Sequence, residues 1–229
     1  MDYPQMFRIR QHFDAPRLDD IPEAVRSEIQ KLDPGRTIKA GQSVAISVGS
    51  RGIANLDTIV KTVVGEMRGL GAEPFIVPAM GSHGGGTAEG QAEVLARYGI
   101  TEATVGAPVR SSMDVIEIGT TDFGMPVYFD KIASEADHVV VVNRIKPHTG
   151  FIGEIESGLM KMMLIGLGKH HGASIYHRAI IHHSFDKIVR VVGTMVREKM
   201  PIAFGVATLE NGYEETAQIT AVPAPDFES

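Results

Sequence analysis

The sequence predicts an α/β domain, a layered fold in which a mainly parallel sheet is flanked by helices. Three observations carry that expectation. Short apolar runs at Ser43–Val48, Pro74–Val77 and Val139–Val142 have the length of strands, and Val139–Val142 is near-continuously apolar, as strands are when both sheet faces are covered. Segments with apolar residues at helical spacing separate such runs, the rhythm of strand–helix–strand units. The loops after the runs are rich in Gly and polar residues, as expected where a parallel sheet presents its carboxyl ends to a ligand.

The elements follow in order. Residues 1–42 read as an irregular extension of the same domain, with one helix over Ile21–Leu32 stopped by the turn Asp33-Pro34-Gly35. The strand Ser43–Val48 runs into Gly49-Ser50-Arg51-Gly52. Ile59, Val60, Val63, Val64 and Met67 share one face of a helix from Leu56 to Leu70, ended by Gly71. The strand Pro74–Val77 leads to Gly81-Ser82-His83-Gly84-Gly85-Gly86, and Gly86 or Thr87 caps a helix that reaches Tyr98. Val115–Ile118 and Val127–Phe129 read as short strands, and Val139–Val142 leads into the loop Asn143–Ser157. Helices over Gly158–Leu164 and Phe185–Lys199 follow, then a strand over Ile202–Ala207 that pairs with Gln218–Val222.

Composition narrows the function classes. The chain has 229 residues, 43% hydrophobic and 22% charged, enough to build a core without cross-links. The net charge is -6 and no Lys/Arg run appears, so a nucleic-acid partner, which needs a basic footprint, is not expected. The longest apolar runs, such as Met160–Leu167, are far short of a membrane span. The opening residues lack the apolar core of a signal peptide, so a cytoplasmic location is the default expectation. With no cysteine, disulfides, thiolate catalysis and zinc–thiolate sites are out of reach. Any metal must use imidazole, carboxylate or a cofactor that brings its own sulfur.

Three loops have unusual chemistry. Gly49-Ser50-Arg51-Gly52 joins a strand to a helix start, where backbone N–H groups can hold an anion and Arg51 adds a fork for carboxylate or phosphate. Equally, it reads as a tight turn with a surface Arg, and it lacks the dinucleotide fingerprint. In Gly81–Thr87 three successive glycines suggest close backbone approach to a ligand, with His83 placed as a general base; a flexible loop with an exposed His is the other reading. The third loop, Asn143 to Ser157, holds Lys146-Pro147-His148-Thr149-Gly150-Phe151 and Glu154-Ile155-Glu156. Pro147 biases Lys146 to extended geometry. The two glutamates read as paired acids, as a solvated stretch or as a partner for Arg144.

Lys161 lies between Leu159-Met160 and Met162-Met163-Leu164-Ile165. Burial would lower its pKa and leave a nucleophilic amine, although a Lys that snorkels from an amphipathic helix gives the same pattern. Of nine histidines, His170, His171, His177, His182 and His183 fall within fourteen residues. His170, His171, His182 and His183 are read as surface or helix-end residues.

The ordered set Gly81-Ser82-His83, Lys146-Pro147-His148, Gly158-Leu159-Met160-Lys161 and Tyr176-His177 resembles the N-terminal domain of the lactate racemase family, over about Ser43 to Thr208. The resemblance implies a pyridinium-3,5-bisthiocarboxylic acid mononucleotide, the nickel-pincer nucleotide, tethered through a thioamide to Lys161, with nickel held by the cofactor and by His177. It implies His83 and His148 as proton-transfer residues on opposite faces of a 2-hydroxyacid substrate, and Arg51 near the substrate carboxylate. Backbone around Ser50, Gly84 and Gly85 would take the cofactor phosphate. It further implies a C-terminal domain that this chain lacks, with residues 223–229 as the start of a linker. The interval from His148 to Lys161 is longer than in lactate racemase, and Glu154-Ile155-Glu156 replaces a run of small residues, which implies a divergent branch with another substrate. A homo-oligomer is compatible with the sequence. The competing reading is a non-catalytic phosphate- or nucleotide-binding module, or an inactive truncated paralogue. The arrangement that separates them is spatial: Arg51, His83, His148, Lys161 and His177 must meet in one cleft.

Overall fold

The computed structural model describes residues 4–148, 150 and 153–228; Thr149, Phe151 and Ile152 of the third loop lie outside the described residues. The elements run α1 (Ile21–Lys31), β1 (Ser43–Val48), α2 (Leu56–Gly69), β2 (Glu73–Pro78), α3 (Ala88–Arg97), α4 (Glu102–Val105), β3 (Val115–Thr120), β4 (Pro126–Asp130), α5 (Lys131–Ser134), β5 (His138–Arg144), α6 (Gly158–Lys161), α7 (Lys169–Ala179), α8 (Phe185–Lys199), β6 (Ile202–Glu210) and β7 (Thr216–Pro223). The predicted α/β class holds. Five strands form one sheet in the order β2-β1-β5-β6-β7. β1 pairs in parallel with both β2 and β5, β5 pairs in parallel with β6, and β7 closes the edge antiparallel to β6.

Burial on both faces explains the unbroken apolar strands. Val44, Ile46, Val48, Val140 and Val142 pack on one side with Val25 and Ile29 of α1 and with Ile59, Val60, Val63 and Met67 of α2. Ala45, Phe75, Val77, Val139 and Val141 face the other core, built from Leu159, Met160, Met162, Met163, Leu164, Tyr176 and the Ile188, Val189, Val192 and Val196 stripe of α8. Capping follows the sequence signals: Asp20 accepts the Glu23 N–H at 2.9 Å, Thr87 the Gly90 N–H at 3.1 Å, and Ser184 the Lys187 N–H at 3.2 Å.

Four expectations are adjusted. The strands near Val115 and Val127 do not join the main sheet; they pair with each other as a separate antiparallel hairpin, β3–β4. The helix expected over Gly158–Leu164 is α-helical only to Lys161 and continues as a π-helical turn over Met162–Gly166, with Leu167 N–H donating to Met162 O at 3.0 Å. Such turns are frequent at functional sites. α7 escapes the apolar pattern because its buried face is made of Lys169, Gly172, Ala173 and Tyr176. Residues 223–229 were expected as linker, but Pro223 ends β7 and the turn after it buries Ala224 and Phe227 in the core.

Lys169 opens α7 with a left-handed φ of 53° and turns fully inward. Its Nζ lies 2.8 Å from the Asp130 carboxylate, both side chains at 0% exposure, and donates to Pro78 O at 2.5 Å. Burial pushes the Asp130 pKa up while the Lys169 charge pulls it back. Further along α7, the Tyr176 hydroxyl accepts the Tyr128 N–H at 2.9 Å, tying the helix to the β3–β4 hairpin. Removing one member of a buried ion pair leaves the other uncompensated, at a cost of about 3–5 kcal/mol. Lys169→Met should show that loss in denaturant unfolding, and Lys169→Met combined with Asp130→Asn should recover much of it. Wild-type stability in the single variant would mean that the pair contributes nothing.

Candidate active site

The strand order places the carboxyl ends of β2, β1 and β5 side by side: Val48 pairs with Pro78 on one flank and Val142 on the other. The chain leaves the sheet in different directions from these ends, the crevice in which open α/β sheets bind ligands. A cleft of about 330 Å³ lies there, and its walls include Ser50, Arg51, His83, His148, Lys161 and His177. Ser50 and Arg51 follow β1, His83 follows β2 and His148 follows β5. Lys161 ends α6, and His177 sits on an exposed face of the last turn of α7.

Gly84 and Gly85 are not among those walls. A Cβ on Gly84, at φ +64°, would lie 2.7 Å from Gly90 and Gln91 backbone atoms. Its missing side chain lets the loop turn tightly against the start of α3. Gly49 and Gly166 do line the cleft, both packed closely on Met162; a Cβ on Gly49 would lie 2.9 Å from Met162 Cε. Asn143, Lys146, Ser157, Met162 and Phe185 also line the cleft.

The loop after β5 is tied down at its base. Ser157 Oγ accepts the Lys146 N–H at 2.8 Å and donates to Lys146 O at 2.6 Å, while Asn143 Nδ2 donates to Gly158 O at 2.8 Å. Glu156 does not pair with Arg144, as the sequence allowed; its carboxylate accepts the His148 N–H at 2.7 Å and the Gly153 N–H at 3.3 Å. Those N–H bonds, the His148 one foremost, hold its pKa below the usual carboxylate range. Glu154 pairs with Arg190 of α8, and Arg144 pairs with Glu210, which also accepts the Ala54 N–H at 2.7 Å.

His148 Nδ1 accepts the Gly150 N–H at 3.0 Å. Its pKa is lowered by burial first, then by the charges of Lys161 and Arg51. The Ser50 hydroxyl bonds to His83 Nδ1, and the Ser50 carbonyl accepts from Tyr98 OH at 2.9 Å. Lys161 Nζ lies 3.4 Å from Glu156 O and 5.2 Å from the centre of the Phe185 ring. Burial, then Arg51 and Lys146, lower its pKa to about 8. A surface lysine that snorkels would keep its charge in water; this one is half-buried and crowded by cations, which leaves about a tenth of it as neutral, nucleophilic amine at pH 7.

His170 and His171 are exposed on α7, with His171 edge-on to Tyr128 at 4.4 Å, and His183 lies against Phe123 at 4.4 Å. Among the described residues no three His, Asp or Glu side chains gather as a metal cage, and no helix is long and apolar enough to cross a membrane.

The lactate racemase N-terminal domain family matches residues 12–188. The chain belongs to that family. It is also similar in fold to the lactate racemase apoprotein of Thermoanaerobacterium thermosaccharolyticum, with a TM-score of 0.66 and 16% identity. That match covers 93% of this chain and 54% of the racemase, so the chain spans about half the length of its structural relative. No curated protein matches it in sequence.

The lowered Lys161 pKa gives a direct test. Competitive amine labelling, read residue by residue by peptide mass spectrometry, should place the Lys161 midpoint near pH 8. Arg51→Ala removes a repelling charge and should move that midpoint upward. A Lys161 profile superimposed on those of ordinary surface lysines would refute the assignment.

Proposed function

We propose that this chain is the cofactor-holding part of a nickel-dependent 2-hydroxyacid racemase or epimerase. The observation that carries this reading is the meeting of Lys161, His177, His83, His148 and Arg51 in one cleft. The donor set suits the nickel-pincer nucleotide of the family resemblance. Lys161 offers an amine deprotonated enough to be acylated, and His177 offers an exposed imidazole. Arg51 and Lys146 give the cleft a cationic wall for carboxylate and phosphate. The cleft volume falls within the roughly 300–1,000 Å³ of small-molecule sites. When bound, the nucleotide with its nickel supplies an acceptor and donor for the substrate α-hydrogen as hydride, chemistry that amino-acid side chains cannot provide.

The chain's own residues supply orientation and proton transfer. Arg51 presents two parallel N–H donors to the substrate carboxylate, which fixes the α-carbon. His148 receives an N–H at Nδ1, so its neutral ring carries the proton at Nε2. Its lowered pKa keeps the ring neutral at pH 7. In that form Nε2–H is set to donate a hydrogen bond to the substrate oxygen; as a proton donor His148 would act from its imidazolium form, since a neutral imidazole does not release its N–H proton near neutral pH. At His83 the Ser50 hydroxyl engages Nδ1; when it accepts from Nδ1–H, Nε2 is left unprotonated as a base for the substrate hydroxyl proton. Loss of that proton together with departure of the α-hydrogen as hydride would give a planar keto acid; return of the hydride to the opposite face, with reprotonation of the oxygen by the other histidine in its imidazolium form, would complete inversion, and the reverse reaction exchanges the two roles.

Coexpression with the cofactor-synthesis enzymes tests the reading. Intact mass spectrometry should show an adduct that maps to Lys161, with nickel bound. Lys161→Ala should carry neither, and His177→Ala should keep the adduct and lose nickel. In the loaded protein, His83→Ala and His148→Ala should each slow inversion of 2-hydroxyacids by about 10²–10⁴-fold, followed by chiral chromatography. An unmodified chain without nickel, stabilised instead by free nucleotides, would favour a non-catalytic nucleotide-binding module.

A further inference from the structure

A buried polar knot lies behind His83, and we propose that Gln91 and Lys169 act through it as positioning residues for the His83 loop. Gln91, on α3, is fully buried. Its Nε2 donates to Gly81 O at 2.9 Å and to His83 O at 3.3 Å. Its Oε1 faces Lys169 Nζ at 3.5 Å, and that ammonium also donates to Pro78 O at 2.5 Å and pairs with Asp130 at 2.8 Å. The end of β2, the His83 loop, α3, the β3–β4 hairpin and the head of α7 thus meet at two side chains. The far end of the same α7 carries His177.

The knot also reaches the His83 ring by a second route. Tyr98, directly after α3, donates to the Ser50 carbonyl at 2.9 Å, and Ser50 Oγ bonds to His83 Nδ1. α3 therefore holds His83 twice: by its backbone through Gln91 and by its ring through Tyr98 and Ser50. An apolar core of the same shape would be as stable as a buried polar network or more so. What the polar version adds is direction. The Gly81 and His83 carbonyls are both aimed at one donor, the Gln91 amide, and that side chain is braced by the ammonium that heads α7.

This role rests on reading His83 as a proton-transfer residue, but its test uses neither substrate nor cofactor. The full chain and the variants Gln91→Met, Gln91→Glu and Lys169→Met/Asp130→Asn would be compared for thermal stability and for the carbethoxylation rate of His83, read by peptide mass spectrometry with exposed His12 as internal reference. Ile29→Ala, a substitution in the core on α1, away from α3 and the knot, serves as the stability-matched control. In the knot variants His83 should react several-fold faster and the Gly81–His83 amides should exchange faster with solvent. Glutamate at 91 cannot donate to the loop carbonyls, so Gln91→Glu should behave as Gln91→Met does and serves in its place should Gln91→Met not fold. Lys169→Arg, which keeps a donor and the charge, should restore wild-type reactivity. Wild-type His83 reactivity in the folded knot variants, or an equal rise in Ile29→Ala, would overturn the proposal. Such a result would leave the cofactor reading untouched, just as a missing adduct on Lys161 would leave the positioning result untouched.

Discussion

The double parallel pairing of β1 is the constraint on which the site depends. Because β1 hydrogen-bonds to β2 on one edge and β5 on the other, three chain segments far apart in sequence end within neighbouring strand spacings, about 4.7–4.9 Å each. His83 and His148 are separated by 65 positions yet follow strands that flank the one leading to Ser50 and Arg51. A slip of one residue in either pairing would exchange the two faces of a strand. It would send Val44, Ile46 and Val48 into the wrong core, so the apolar pattern enforces the register that aligns the loops.

Electrostatics in the cleft act in one direction. Arg51, Lys146 and Lys161 raise the potential around His148 and around one another, and Glu156 is the carboxylate that opposes them. Glu156 spends its oxygens on backbone N–H groups of His148 and Gly153, so it shapes the loop while giving only partial charge compensation. The outcome is a site poised for anions, in which the amine and the imidazole both lose their protons more readily than usual. The neutral amine is the form that can be acylated, and the neutral imidazole offers an N–H from a chosen nitrogen.

Much of this was legible in the sequence because it was local. Apolar runs marked β1, β2 and β5, and Thr87 marked the start of α3. The residues His83, His148, Lys161 and His177 stood out from a family pattern of spacing. What escaped was long-range. Glu210 as the partner of Arg144 lies 66 residues away, whereas Glu154 and Glu156 were nearer in sequence. α7 was hidden because its buried face carries a lysine whose counter-ion, Asp130, sits on a hairpin 39 positions earlier. The glycine loop pointed to ligand contact at Gly84 and Gly85, but a glycine signals close approach without saying to what; at Gly84 the neighbour is the backbone of α3. A fully buried glutamine carries no periodic signature at all.

The buried Asp130–Lys169–Gln91 arrangement also bears on why this half of the fold retains polar groups in its core. Hydrophobic burial holds α8 and α2 to the sheet without specifying rotation to better than the packing of similar side chains allows. α7 presents few large apolar residues to the core, with Tyr176 the chief exception, and that side chain is itself fixed at its hydroxyl by Tyr128. Directional contacts at Lys169 and Tyr176, two turns apart along α7, therefore determine both the position and the rotation of the helix. Rotation decides whether His177 faces the cleft. Because His177 lines the cleft from this helix, angular control there has more value than the additional stability an apolar substitute would bring.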